Sequence, residues 1–120
     1  MKVAITTTGK DLKSSVSQLF GRSSDFIVVN LEDDEIKVLS ATPNPVKYEK
    51  GAGNLAAQLM VEHQIEVLIS GEMGPVAFHI LKNAGIRVYK GSRVDVEKNL
   101  KHLMEGRLKE VTSLSSGYPK

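Results

Sequence analysis

Residues 51–90, GAGNLAAQLMVEHQIEVLISGEMGPVAFHILKNAGIRVYK, change period three times, and that change decides the fold. Leu55, Ala56, Leu59, Met60 and His63 recur at helical spacing after Gly51. Val67-Leu68-Ile69 is too short for anything but a buried strand. Gly74-Pro75 then opens a second helix, with proline at the first helical position where its missing N–H costs nothing, and Gly85 closes it after Ala77, Ile80, Leu81 and Ala84. Ile86, Val88 and Tyr89 make the next short strand. Helix, strand, helix, strand is the signature of parallel strands joined by crossover helices.

Outward from this block, Val96, Leu100, Leu103 and Met104 predict a third helix, capped by Ser92 or Asp95 and ended by Gly106. Upstream, Thr42-Pro43-Asn44-Pro45 can neither feed a ladder regularly nor start a helix, so residues 42–50 are a connector. Val3 and Ile5 alternate with Lys2, Ala4 and Thr6 in a first strand. Phe26-Ile27-Val28-Val29 and Ile36-Lys37-Val38-Leu39 are two more, joined through a hairpin turn at Glu32-Asp33-Asp34-Glu35. Residues 11–24, polar and poor in apolar anchors, read as a loop or one short helical turn, long enough to be functional. The order β, β, β, α, β, α, β, α gives an α/β ribonuclease H-like single domain. Its mixed five-stranded sheet has order 3-2-1-4-5, strand 2 antiparallel and helices on both faces. Residues 1–110 form the domain, residues from 109 on look loose, and 111–120 are expected to be a flexible tail.

Composition narrows the function. The chain has 120 residues, 41% hydrophobic and 25% charged, with a net charge of +2 and no cysteine. Disulfides, thiol nucleophiles and the usual four-thiolate attachment of an iron–sulfur cluster are excluded. The lysines are spread along the chain and only six aromatic residues, three Tyr and three Phe, are present, which argues against nucleic-acid binding. No stretch has the length of a membrane span or the h-region of a signal peptide, so a cytoplasmic protein is expected. The first strand, Val3-Ala4-Ile5-Thr6-Thr7-Thr8, carries no carboxylate for a two-metal hydrolytic centre. There is neither a Gly-X-Ser-X-Gly elbow nor a Walker loop, and a non-enzyme is expected.

In the expected topology, four loops share the carboxyl edge of the parallel strands, and three helices start there: Thr7-Thr8-Gly9-Lys10, Gly51-Ala52-Gly53-Asn54, Ser70-Gly71-Glu72-Met73-Gly74 and Lys90-Gly91-Ser92-Arg93. Ligands bind open α/β sheets at this edge, and helix starts favour anions, although glycines there also serve plain βα turns. The candidate binding residues are Thr8, Gly9, Lys10, Arg22, Gly51, Gly53, Asn54, Gly71, Met73, Gly74, His79 and Arg93. Lys10, Arg22 and Arg93 could neutralise an anion or make ordinary surface pairs, Arg22 with Asp25 for example. Met73 could touch a soft cargo or fill a gap in the core. His79 is the best placed imidazole; His102 lies on a polar face, and His63 suits a helix C-terminus. Asp33, Asp34 and Glu35 could hold a hard cation but are explained by the turn.

The chain also carries a resemblance. Phe20-Gly21-Arg22 followed by Phe26, the Gly51-Ala52-Gly53 helix opening, Ile69-Ser70-Gly71 with Gly74 and Ala77, the run Leu81–Tyr89 and the ending Glu105-Gly106-Arg107-Leu108 resemble the dinitrogenase iron-molybdenum cofactor biosynthesis family. These are the NifX, NifY and NifB C-terminal-like domains. The resemblance implies a carrier or chaperone that transiently binds an anionic iron–sulfur or iron–molybdenum cofactor precursor and meets metallocluster assembly proteins. Members often carry a His before the Phe-Gly-Arg segment, where this chain has Leu19. From the residues alone, a module for phosphate or another anionic metabolite, or a hydrolase, stays open beside it.

Overall fold

Val3 to Thr7 are buried on both faces, which makes the strand Lys2–Thr7 (β1) an interior one. In the computed structural model, which describes residues 1–114, β1 is flanked by β2 (Asp25–Glu32), antiparallel to it, and by β4 (Val67–Ser70), parallel to it. β3 (Glu35–Pro43) returns beside β2 through a two-residue turn whose Asp33 and Asp34 adopt φ 51° and 62°. Two consecutive left-handed residues match the twist of the flanking strands, and Asp tolerates that conformation. β5 (Arg87–Lys90) lies parallel to β4.

The sheet has order β3-β2-β1-β4-β5-β6, so the expected order is recovered but the expected count of five is corrected to six. The added strand, β6 (Lys109–Glu110), runs antiparallel along β5 in the stretch read as loose. Two residues are too few to show a period. What holds them is non-local: Leu108 is buried, the Val111 amide donates to the Val88 carbonyl at 2.8 Å, and Arg87 grips Glu110 through Nε at 3.2 Å and a terminal nitrogen at 2.7 Å. From residue 115 on, the expected tail lies outside the described residues.

The three helices occupy both faces. α1 (Ala52–Glu62) and α2 (Pro75–Asn83) pack on Ala4, Phe26, Leu68 and Val88. α3 (Val96–Met104) covers Val3, Ile5, Ile27, Val29 and Ile69. Strand alternation dictates this division, since successive side chains enter opposite layers. Among the described residues no helix is long and apolar enough to cross a membrane.

Residues 8–24 contain no helix and no continuous strand, and they cross the carboxyl edge of the sheet. The loop pairs with β1 (Ser17 amide to Thr6 carbonyl, 2.8 Å), with the start of α3 (Ser15 opposite Asp95) and with the β4–α2 loop (Leu19 opposite Glu72). Gly71 permits this close crossing, because a Cβ there would overlap the Gln18 carbonyl. Behind it, buried Asn99 of α3 accepts from the Ser92 amide at 2.7 Å and donates to the carbonyls of Asp95 at 2.9 Å and Val94 at 3.1 Å, fixing the β5–α3 loop.

Replacing Asn99 by Ala leaves a buried amide and several loop carbonyls without their partner. Urea unfolding of Asn99→Ala should show a loss of about 1–3 kcal/mol with an unchanged slope; an unchanged midpoint would deny the side chain this role.

Candidate functional site

β1, β4 and β5 run parallel, so Thr7, Ser70 and Lys90 end at one edge, and α2 and α3 begin there. The chemistry of this rim depends on which main-chain donors are already used. At α3 the donors are spent: the Val96 amide donates to the Ser14 carbonyl at 2.8 Å, Glu97 to Leu12 at 2.9 Å and Lys98 to the Asp95 carboxylate at 2.8 Å. Three helices start at this edge as expected, but the first amides of α3 are engaged by the chain itself.

α1 and α2 start differently. Gly51 (φ 73°) precedes Ala52, Gly53 and Asn54 with no side-chain cap, and Gly74 precedes Pro75 and Val76 with none. The two starts are neighbours, since a Cβ on Gly53 would stand 3.9 Å from the Cβ of Ala77. Neither first turn contains an acidic residue. Two positive helix ends thus lie side by side with uncapped amides.

The Phe20-Gly21-Arg22 segment forms the wall of this mouth. Phe20 is buried in the α1/α2 core layer. Gly21 (φ 89°) lies so close that a Cβ would sit 2.6 Å from the Cα and N of Gly53, so only glycine fits. Arg22 is exposed and donates from a terminal nitrogen to the Lys47 carbonyl at 2.7 Å. Asn44, buried between two prolines, ties the wall down by donating to the Gly21 carbonyl at 2.8 Å and the Ser23 carbonyl at 3.0 Å.

Positive charge gathers next to it. The buried Asp25 carboxylate accepts from Ser24 Oγ at 2.5 Å and meets Lys10 Nζ at 3.2 Å. The Ser24 hydroxyl above all, then Lys10 and the field of Lys47, outweigh the cost of burial and hold this carboxyl below the usual range. Lys47 lies 4.9 Å from the centre of the Tyr48 ring. Lys10 and Lys47 therefore act on one carboxylate, and Arg22 is tied to the Lys47 main chain.

Of the residues proposed from sequence, Lys10, Arg22, Gly51, Gly53, Asn54 and Gly74 belong to this mouth and its flank. Thr8 and Gly9 fold back on the crossing loop: the Thr8 amide donates to the Ser15 carbonyl at 3.0 Å, and the Gly9 carbonyl accepts from Thr7 Oγ1 at 2.6 Å. Met73 is buried with Phe20 and Ala77 rather than facing a cargo, and His79 is exposed on the second turn of α2. Gly71 and Arg93 line a separate cleft beside the loop. Lys47 and Asn44 were missed by sequence reasoning; the only sequence trace was an Asn flanked by prolines in a polar connector. Among the described residues no three His, Asp or Glu side chains come together to hold a metal ion.

The family model for dinitrogenase iron-molybdenum cofactor matches residues 1–106. The uncharacterized protein MJ0580 of Methanocaldococcus jannaschii is 30% identical over 111 residues, 92% of this chain and 91% of its own. Among solved structures, a candidate NifB protein from Thermotoga is 34% identical with a TM-score of 0.78, covering 95% of this chain and 96% of that one. The apo form of the orange protein from Desulfovibrio gigas is 27% identical with a TM-score of 0.82, covering 96% of each chain.

Because the folded-state pKa of Asp25 is depressed, its contribution to stability is complete above the unfolded value of about 3.9 and is lost as pH falls through the lower folded value. Asp25→Asn should therefore flatten the acid limb of the stability profile below about pH 4, as followed by denaturant midpoints. An acid limb identical to that of the parent would show that Asp25 is not the group responsible.

Proposed function

Since the chain belongs to the dinitrogenase iron-molybdenum cofactor family, we propose that it is a non-catalytic carrier for an anionic iron–sulfur or iron–molybdenum cofactor precursor, held at the mouth between the starts of α1 and α2. The observation that carries this reading is the pair of adjacent, uncapped helix starts bordered by Arg22 and Lys47. A polyanionic cargo gains from each such group about 0.3–1 kcal/mol at a surface site. The contributions are individually small and act together.

The residue chemistry favours holding over ligating. The chain has no cysteine, and Leu19 rather than a His precedes its Phe20-Gly21-Arg22 segment. A cargo kept by charge and main-chain amides needs no protein–metal bond to break when it is passed on, which suits a carrier that meets metallocluster assembly proteins. Catalysis lacks its parts at the same rim: β1 has no carboxylate, and Asp25 at the adjoining position is buried and engaged by Lys10 and Ser24.

Anaerobic mixing with a chemically prepared iron–sulfur cluster anion, followed by desalting, tests the reading. Broad visible absorption should co-elute with the protein and diminish with added salt. Arg22→Ala combined with Lys47→Ala should weaken retention about 3- to 30-fold, the product of two surface charge contributions. Absence of retained colour, together with a thermal shift on adding inorganic phosphate, would replace this cargo by a phosphate-bearing metabolite.

A further inference from the structure

On the far side of the crossing loop lies a cleft of about 620 Å³, bounded by residues 15–19, by Gly71 and Glu72, and by residues 90–95. No residue of α1 or α2 lines it, so it is separate from the mouth described above. Its size is that of a small-molecule site, and it lies beyond the carboxyl ends of the parallel strands β4 and β5.

The walls are fixed. The Glu72 amide donates to the Gln18 carbonyl at 2.8 Å, the Gly91 amide to the Ser70 carbonyl at 2.9 Å, and the Ser92 amide to Asn99 Oδ1 at 2.7 Å. The Asp95 carboxylate is used as the cap of α3. With those amides taken, recognition falls to side chains. Lys90, Arg93 and Glu72 line the cleft, and among the described residues none of the three side chains makes a hydrogen bond or an ion pair. Besides the Asp95 cap, two cations and one carboxylate thus line the cleft with no ion pair among them.

We propose that this cleft is a binding site for a small acidic amino acid. Such a ligand carries two carboxylates and one ammonium, the complement of Lys90, Arg93 and Glu72. Arg93 offers the planar fork that matches a carboxylate, Lys90 offers a point charge to the second, and Glu72 accepts from the ammonium. Val16, Leu19 and Val94 supply apolar wall for the methylenes between them. Because the loops are already held by internal bonds, little ordering cost attaches to binding.

Isothermal titration of the full chain, free of any metallocluster, with L-glutamate, glutarate and inorganic phosphate tests the assignment. L-Glutamate should bind, and Arg93→Ala should weaken it about tenfold or more, as expected for loss of a charge-assisted contact. Glu72→Gln should weaken L-glutamate but not the weaker binding of glutarate, which lacks the ammonium and is repelled by the Glu72 carboxylate. No heat with L-glutamate would overturn the site. Equal binding of glutarate or phosphate, or indifference to both substitutions, would overturn the ligand class. Retention of colour by a cluster-loaded sample is a separate readout, so failure here and failure of the carrier reading are distinguishable.

Discussion

Main-chain hydrogen bonding between residues 8–24 and the carboxyl edge of the sheet is the constraint on which the functional end of this molecule depends. A loop of that length running over a sheet edge must satisfy its own amides and carbonyls. It does so on Thr6, on Glu72 and on the first amides of α3. The same bonds decide what remains available. α3 becomes a closed helix start, whereas α1 and α2, reached only by the Phe20-Gly21 end of the loop, keep uncapped first turns. The loop thus divides a rim that topology alone would leave continuous into a mouth and a cleft.

The division also sorts the electrostatics. On the mouth side the cations are linked to one another through Asp25 and the Lys47 carbonyl, which keeps a surplus of positive charge beside two helix ends. On the cleft side Lys90, Arg93 and Glu72 are of mixed sign and unlinked. Surface ion pairs such as Lys13–Glu97 and Arg107–Glu105 add little to stability by comparison, being exposed and screened. The weight of the fold rests on the two core layers and on the buried asparagines Asn44 and Asn99, which hold loops that apolar packing cannot reach.

Much of the architecture was legible in the chain because it follows from period. The change from alternation in Val3–Ile5 to helical spacing in Leu55–His63, and the short apolar run Val67–Ile69, carry strand order and the placement of helices. Gly74-Pro75 marked a helix start by local chemistry, and of the two cap candidates Ser92 and Asp95 it is Asp95 that caps α3. What escaped is non-local. β6 is two residues long and exists through Leu108, Val111 and the Arg87–Glu110 pair. The saturation of α3 by Leu12 and Ser14 joins residues more than eighty positions apart in sequence, and the engagement of Lys10 by Asp25 ties the crossing loop to the first residue of β2. Met73 sat in a loop by sequence and in the core by packing, sharing one buried apolar layer with Phe20. Glycine-rich turns located the rim, but which turn stays open was written in contacts that only the folded chain makes.

An anionic cargo held as proposed meets the amides of two helix starts and not the third. An amide-resolved NMR titration with tetrathiomolybdate, a diamagnetic soft anion, reads this directly. Shifts are expected at Ala52, Gly53, Asn54, Val76 and Ala77 with Val96, Glu97 and Lys98 unmoved. Shifts centred on the first turn of α3, or spread evenly over the surface, would contradict it.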